Sequence, residues 1–255
     1  MKRRFAMKRI LSVCIVFVMI LSSLSATVFA ADEGTASAEF SDIKGHWAEA
    51  TIMKYKDKNI IYGYPDGTFR PDQPVTRAEL ARIVTAAFQL YSIDGVRYKD
   101  VSSDAWYYTY VDRSHSYIPV YPLPVGYDSN RPYEEASAQG GDCFLPEEPA
   151  LRMHVAETLV RIKRDKDYKT SLDMPDIQGM KDELKTVFKD DAYSSILAMH
   201  GIVPANVDHV FRYTWLAYKY NIMVGKADGY FDPYGYVTRA ELLTAIDNTL
   251  EGIPD

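Results

Sequence analysis

The chain has few cysteines, few histidines and no apolar run of spanning length. Two of its 255 residues are cysteines, and Cys14 falls in the first thirty, so Cys143 is the one thiol beyond them. An internal disulfide framework is therefore excluded, and the fold must rest on packing. Ile10 to Leu21 is the longest apolar run, about twelve residues where a spanning helix needs ~20. The five histidines, His46, His115, His154, His200 and His209, form no HExxH or related metal spacing. There is no Gly-x-Ser-x-Gly elbow and no phosphate loop, so the common hydrolase and nucleotide-binding signatures are missing. Positive charge is scarce as well. The first thirty residues carry five basic groups and no acid, which leaves 24 basic against 35 acidic residues, near −11. That balance argues against a nucleic-acid partner, which needs clustered Lys and Arg, and against a basic patch on anionic lipid.

What is present is an ordinary globular composition, 47% apolar and 25% charged. Lys2, Arg3, Arg4, Lys8 and Arg9 precede the apolar run, and a small-residue stretch ends in Val28-Phe29-Ala30. This is the layout of a cleaved export signal over residues 1–30, followed by a short linker, 31–39. The mature chain is expected to be secreted and to make no use of a membrane after cleavage.

The most informative feature is internal repetition. Gly63-Tyr64-Pro65-Asp66-Gly67-Thr68-Phe69-Arg70-Pro71 leads to Val75-Thr76-Arg77-Ala78-Glu79-Leu80. Gly225-Lys226-Ala227-Asp228-Gly229-Tyr230-Phe231-Asp232-Pro233 leads to Val237-Thr238-Arg239-Ala240-Glu241-Leu242 with the same spacing. A weaker copy lies between them, with Cys143-Phe144-Leu145-Pro146 before Ala150-Leu151-Arg152-Met153-His154. Each copy should begin with its own helix. The first opens at Phe40-Ser41-Asp42 and carries Trp47, Ile52, Tyr55 and Ile60; the second opens at Tyr98-Lys99-Asp100 and carries Trp106 and Val111. Trp106 lies 38 residues before Phe144, whereas Trp47 lies 22 before Phe69, so the middle copy carries an insertion, placed between Pro119 and Gly141. In the last copy the helix should run from about His209, at the place of Trp47, to Tyr220. Met174-Pro175-Asp176 and Phe188-Lys189-Asp190 both imitate a repeat opening, and the sequence does not choose between them.

Thr76 and Glu79, like Thr238 and Glu241, have the spacing of a helix-capping box, with apolar residues at i, i+3, i+4 and i+7 behind them. Asp66-Gly67 and Asp228-Gly229 are turn signals whose glycines supply positive φ. Neither capping nor turning requires Arg77, Arg152 or Arg239. On the first turn of a helix, a guanidinium either grips an anionic ligand or bonds an acid of the neighbouring repeat. Trp47 and Trp106 are either core residues or flat platforms for stacking on sugars. The Asp-Gly turns do not make calcium loops, because the preceding ligand positions hold Tyr62, Tyr64, Val224 and Lys226.

Together these residues resemble the S-layer homology family of bacterial cell envelopes. The resemblance rests on Phe40-x-Asp42, Trp47, Ile52, Gly63, Asp66-Gly67-Thr68-Phe69-x-Pro71 and Thr76-Arg77-Ala78-Glu79, and it covers nearly the whole mature chain. It implies a mainly α fold of three helix-loop-helix repeats, pseudo-threefold around a central three-helix bundle. The modules would span 40–95, 96–170 (degenerate, with the insertion) and 171–255. It further implies non-covalent anchoring at the cell wall or cell surface. The ligand would be a secondary cell-wall polysaccharide, often pyruvylated, bound in grooves between modules. Carried over by position, the binding residues would be Arg77, Trp47, Asp66 and Gly67, then Arg239, Asp228 and Gly229, then Arg152 and Trp106. No catalytic residue, metal or cofactor is implied. The alternative is an envelope protein-interaction or S-layer assembly module with weak or lost glycan binding; a wall hydrolase ranks below both. Leu151 and His154 remove the cap of the middle helix, so the groove built on Thr76 to Glu79 is expected to be the best preserved.

Overall fold

The computed structural model describes residues 39–92, 95, 98–119, 143–166, 173–190 and 204–251. The expected export signal, nearly all of the expected linker and all but Pro119 of the expected insertion between Pro119 and Gly141 lie outside these residues. The described fold is mainly helical, with α1 Glu49–Asp57, α2 Arg77–Phe88, α3 Tyr108–Ser114, α4 Arg152–Lys166, α5 Ile177–Val187, α6 Pro204–Lys219 and α7 Arg239–Leu250. None of these helices is long and apolar enough to cross a membrane.

Local sequence explains where the helices start. Thr76 accepts a hydrogen bond from the Glu79 backbone N–H while the Glu79 carboxylate accepts from the Thr76 N–H, closing the capping box of α2. Thr238 and Glu241 do the same for α7. In α4 the corresponding positions hold Leu151 and His154, which cannot form that pair. Asp176 caps α5 by accepting from Gly179 N–H at 2.8 Å. The sequence placed the start of the last first-helix near His209; α6 begins five residues earlier, at Pro204.

The remaining free N–H groups of the motif helices are satisfied from outside. Arg77 N and Ala78 N donate to Glu148 O and Pro146 O, Arg152 N and Met153 N to Gly235 O and Pro233 O, and Arg239 N and Ala240 N to Gln73 O and Pro71 O. Each helix start is thus closed by the turn of the next copy, and the last is closed by the first. Between them, Val75, Ala150 and Val237 bond one another through three N–H···O contacts of 2.8–3.1 Å, and none of the three side chains is exposed. Helix packing follows the same order, with α3 on α2, α6 on α4 and α1 on α7, while α7 also meets α4 and α2. Helix α5 is an addition that packs on α6.

The aspartates at the repeat openings act as backbone clamps. Asp42 accepts from Phe69 N and Arg70 N at 2.8 and 2.7 Å, and Asp100 from Phe144 N and Leu145 N at 2.8 and 2.6 Å. Asp190 accepts from Phe231 N and Asp232 N. Of the two openings the sequence left undecided, Phe188-Lys189-Asp190 makes this clamp, while Asp176 is occupied as a helix cap. The clamps hold Arg70, Leu145 and Asp232 in the left-handed region, φ 57–58°, which costs a non-glycine residue about 1–2 kcal/mol. Phe69, Phe144 and Phe231 are fully buried, each against an opening aromatic, Phe40, Tyr98 or Phe188, with ring centroids 5.4–5.5 Å apart.

Candidate functional site

The motif arginines lie where consecutive copies join, and all are buried, 3–4% exposed. Arg77 donates from Nε to Phe144 O (2.6 Å), from Nη2 to Pro119 O (2.9 Å) and from Nη1 to His154 Nδ1 (3.1 Å). Arg152 donates to Phe231 O (2.7 Å) and Val224 O (3.3 Å), with Nη1 3.4 Å from Glu241 Oε1. Arg239 donates to Phe69 O (2.9 Å), Tyr62 O (3.3 Å) and Glu79 Oε1 (2.6 Å). Each guanidinium also lies 4.5–5.3 Å from the ring of the buried phenylalanine whose carbonyl it holds. One plan serves all three: Nε on that carbonyl, one Nη on the carbonyl before the turn, and the other Nη on the third residue of the next motif helix. Of the two roles the sequence left open for arginine, bonding within the protein is the one this geometry displays.

The third member of this plan varies. Glutamate stands there in two joints, whereas the joint between the first and middle copies has His154. Complete burial and the Arg77 charge hold the His154 pKa well below the usual 6.5. Its Nδ1 therefore accepts the arginine proton as neutral imidazole.

The other residues singled out by sequence are accessible. Trp47 is 63% exposed and Trp106 55%, whereas Trp215, which sequence had not marked, is buried in the core with its Nε1 donating to Glu183. Asp66 takes the N–H and hydroxyl of Thr68 and pairs with Arg70, which together lower its pKa to about 2. Arg70 lies 3.9 Å over the Tyr64 ring, and Gly67, φ 81°, is open to solvent. The corresponding turn of the last copy is differently furnished. Lys189 donates to Asp228 O, its stem runs within 3.1–3.4 Å of where a Cβ on Gly229 would stand, and Lys226 pairs with Asp232.

Sequence reading missed three arrangements. Arg82 lies 4.5 Å over the ring of Tyr62, itself 58% exposed. Lys163, buried in α4, donates to Thr249 O and Glu251 O and so caps the C-terminal end of α7. Glu157, 1% exposed, meets Arg161 and His209, and burial raises its pKa to about 7. Repeat alignment had the signal for the last, since Arg82, Glu157 and Thr244 each stand five residues after a motif arginine.

Comparison with known proteins gives the same family at both ends of the described chain. The S-layer homology domain model matches residues 39–81 and 215–243. A "Surface-layer 125 kDa protein" of Lysinibacillus sphaericus is 38% identical over 91 residues, 34% of this chain and 8% of that protein. A "Cellulosome-anchoring protein" of Acetivibrio thermocellus is 44% identical over 63 residues, 23% of this chain and 14% of that protein. An "Amylopullulanase" of Thermoanaerobacterium thermosulfurigenes is 26% identical over 217 residues, 83% of this chain and 9% of that protein. The chain thus spans only a small part of these relatives' length. The family model covers the opening, turn and motif of the first copy and the turn and motif of the last, so the chain carries S-layer homology domain sequence in these two regions.

Proposed function

We propose that this protein anchors non-covalently to the bacterial cell wall by binding an anionic secondary cell-wall polysaccharide beside the joints between repeats. Its location is the cell surface or cell wall. The observation that carries the reading is the exposure of Trp47 and Trp106, 63% and 55%, at the foot of helices whose own core faces are filled. A solvent-facing indole at the start of a helix is a platform for a sugar ring. Asp66, Gly67, Asp228 and Gly229 lie on turns flanking those joints. Arg77, Arg152 and Arg239 hold the joints together and so fix the distance between the surfaces on either side. Weak contacts at separate joints add by multivalency along a repeating polymer. Because the chain's net field is negative, charge recognition must be local. The repeats are assigned to 40–95 and 96–170, with the last opening at Phe188 and α5 preceding it.

Sedimentation of the protein with purified walls, before and after acid extraction of their polysaccharide, tests the proposal. Binding that disappears on extraction is the expected result. Binding indifferent to extraction refutes it in favour of an envelope protein partner or S-layer assembly, and release of soluble sugar marks a hydrolase.

A further inference from the structure

The three joints are chemically unequal outside the shared motif. At the joint between the last and first copies, Tyr62 is held by its carbonyl to Arg239 while the residue as a whole stays 58% exposed. Arg82, partly exposed on α2, has its guanidinium carbon over that residue's ring, 4.5 Å from the centroid, and among the described residues no carboxylate pairs with it. At the joint between the middle and last copies, the carbonyl bonded by the motif arginine belongs to Val224, which offers no aromatic face. Five residues after the motif arginine, α4 carries Glu157, a buried carboxylate engaged by Arg161 and by His209, the residue aligned with Trp47. In α7 that position is Thr244, whose hydroxyl returns to Ala240 O at 3.2 Å. The last copy's turn is covered by Lys189, whereas nothing lies within 4 Å of where a Cβ on Gly67 would stand.

From this inequality we infer that Arg82, stacked on Tyr62, is the group that recognises the negative charge of the wall polymer, and that the joint between the last and first repeats is the one built to receive it. The inference rests on the anchoring proposal. A guanidinium held by an aromatic face keeps its in-plane donors for a carboxylate or phosphate, which it meets bidentately. The buried motif arginines already direct donors at carbonyls of the next repeat.

The test is wall sedimentation of Arg82→Gln, Arg82→Lys and Tyr62→Ala, with Arg164→Gln, an exposed arginine on α4, as the control. Thermal unfolding of each variant reports its folding. Arg82→Gln should weaken binding about tenfold or more, since a charged hydrogen-bonding group is lost, with an unchanged midpoint. Arg82→Lys should lie between it and the parent, and binding by the parent but not by Arg82→Gln should fall with added salt. Tyr62→Ala should weaken binding in the same direction, and Arg164→Gln should bind like the parent. Arg82→Gln binding like Arg164→Gln overturns the inference and leaves the anchoring proposal standing; a parent protein that does not sediment overturns both. Walls treated with mild acid to hydrolyse ketal-linked carboxylates, and walls stripped of phosphate, separate the two sources of charge. Loss of Arg82-dependent binding after one treatment assigns the anion, and loss after neither overturns the assignment.

Discussion

Replacing Arg239 by methionine separates the two roles open to the motif arginines. Its guanidinium, with a side chain only 5% exposed, holds the carbonyls of Phe69 and Tyr62 and the Glu79 carboxylate at 2.6 Å. Methionine keeps the stem's packing against Phe69 and removes every donor. Glu79, 19% exposed, retains its capping bonds and the Tyr64 hydroxyl but loses its cation. Breaking a buried pair by removing one partner costs about 3–5 kcal/mol. In a domain of this size each kcal/mol moves the midpoint by roughly 2–4 °C, so a fall of about 6–20 °C is expected by calorimetry. A cycle with Glu79→Gln should show coupling of about 0.5–3 kcal/mol, as between any two groups in one network. Arg239→Lys should recover only part of the loss, because an ammonium cannot span three acceptors arranged for a planar fork. A midpoint within about 2 °C of the parent, on the same size scaling, would refute the structural role, and if wall binding vanished in that variant the arginine would be a ligand group.

Three further outcomes follow from particular contacts. Gly63→Ala would place a Cβ 2.4 Å from Phe40 Cε1 and 2.6 Å from Thr68 O, an overpacking worth about 1–3 kcal/mol, whereas Gly67→Ala meets no atom and costs about 1 kcal/mol through its positive φ alone; denaturant midpoints rank the two. Asp190→Ala strands two backbone N–H groups and should cost about 2–5 kcal/mol, against ~1 kcal/mol for Asp176→Ala, which loses a cap; equal effects in urea unfolding would mean that Asp190 does not clamp the last repeat. His154 has a folded-state pKa below its unfolded value of 6.5, so the unfolded chain takes up a proton that the folded chain refuses. Stability should therefore fall as pH drops below 6.5, by at most about 1.4 kcal/mol per pH unit from this group, and His154→Gln should flatten that slope.

Spacing in the sequence determined the capping boxes at Thr76 and Thr238 and the positive-φ glycines of the turns. These are local properties, set within a few residues by backbone hydrogen bonding and side-chain reach. Tertiary structure alone decided that Arg77, Arg152 and Arg239 are buried in the joints, because their acceptors lie 42 to 177 residues away. It also chose Asp190 over Asp176: both follow an opening-like pair, but only one reaches the backbone of the distant Phe231. It exposed Trp47 and Trp106 while burying Trp215, a difference that no property of the indole itself could supply. It brought Arg82 over Tyr62, twenty positions back in the chain, in a contact that periodicity does not encode. Burial and ion pairing depend on what the rest of the chain places alongside a residue, whereas turns and caps depend on its immediate neighbours.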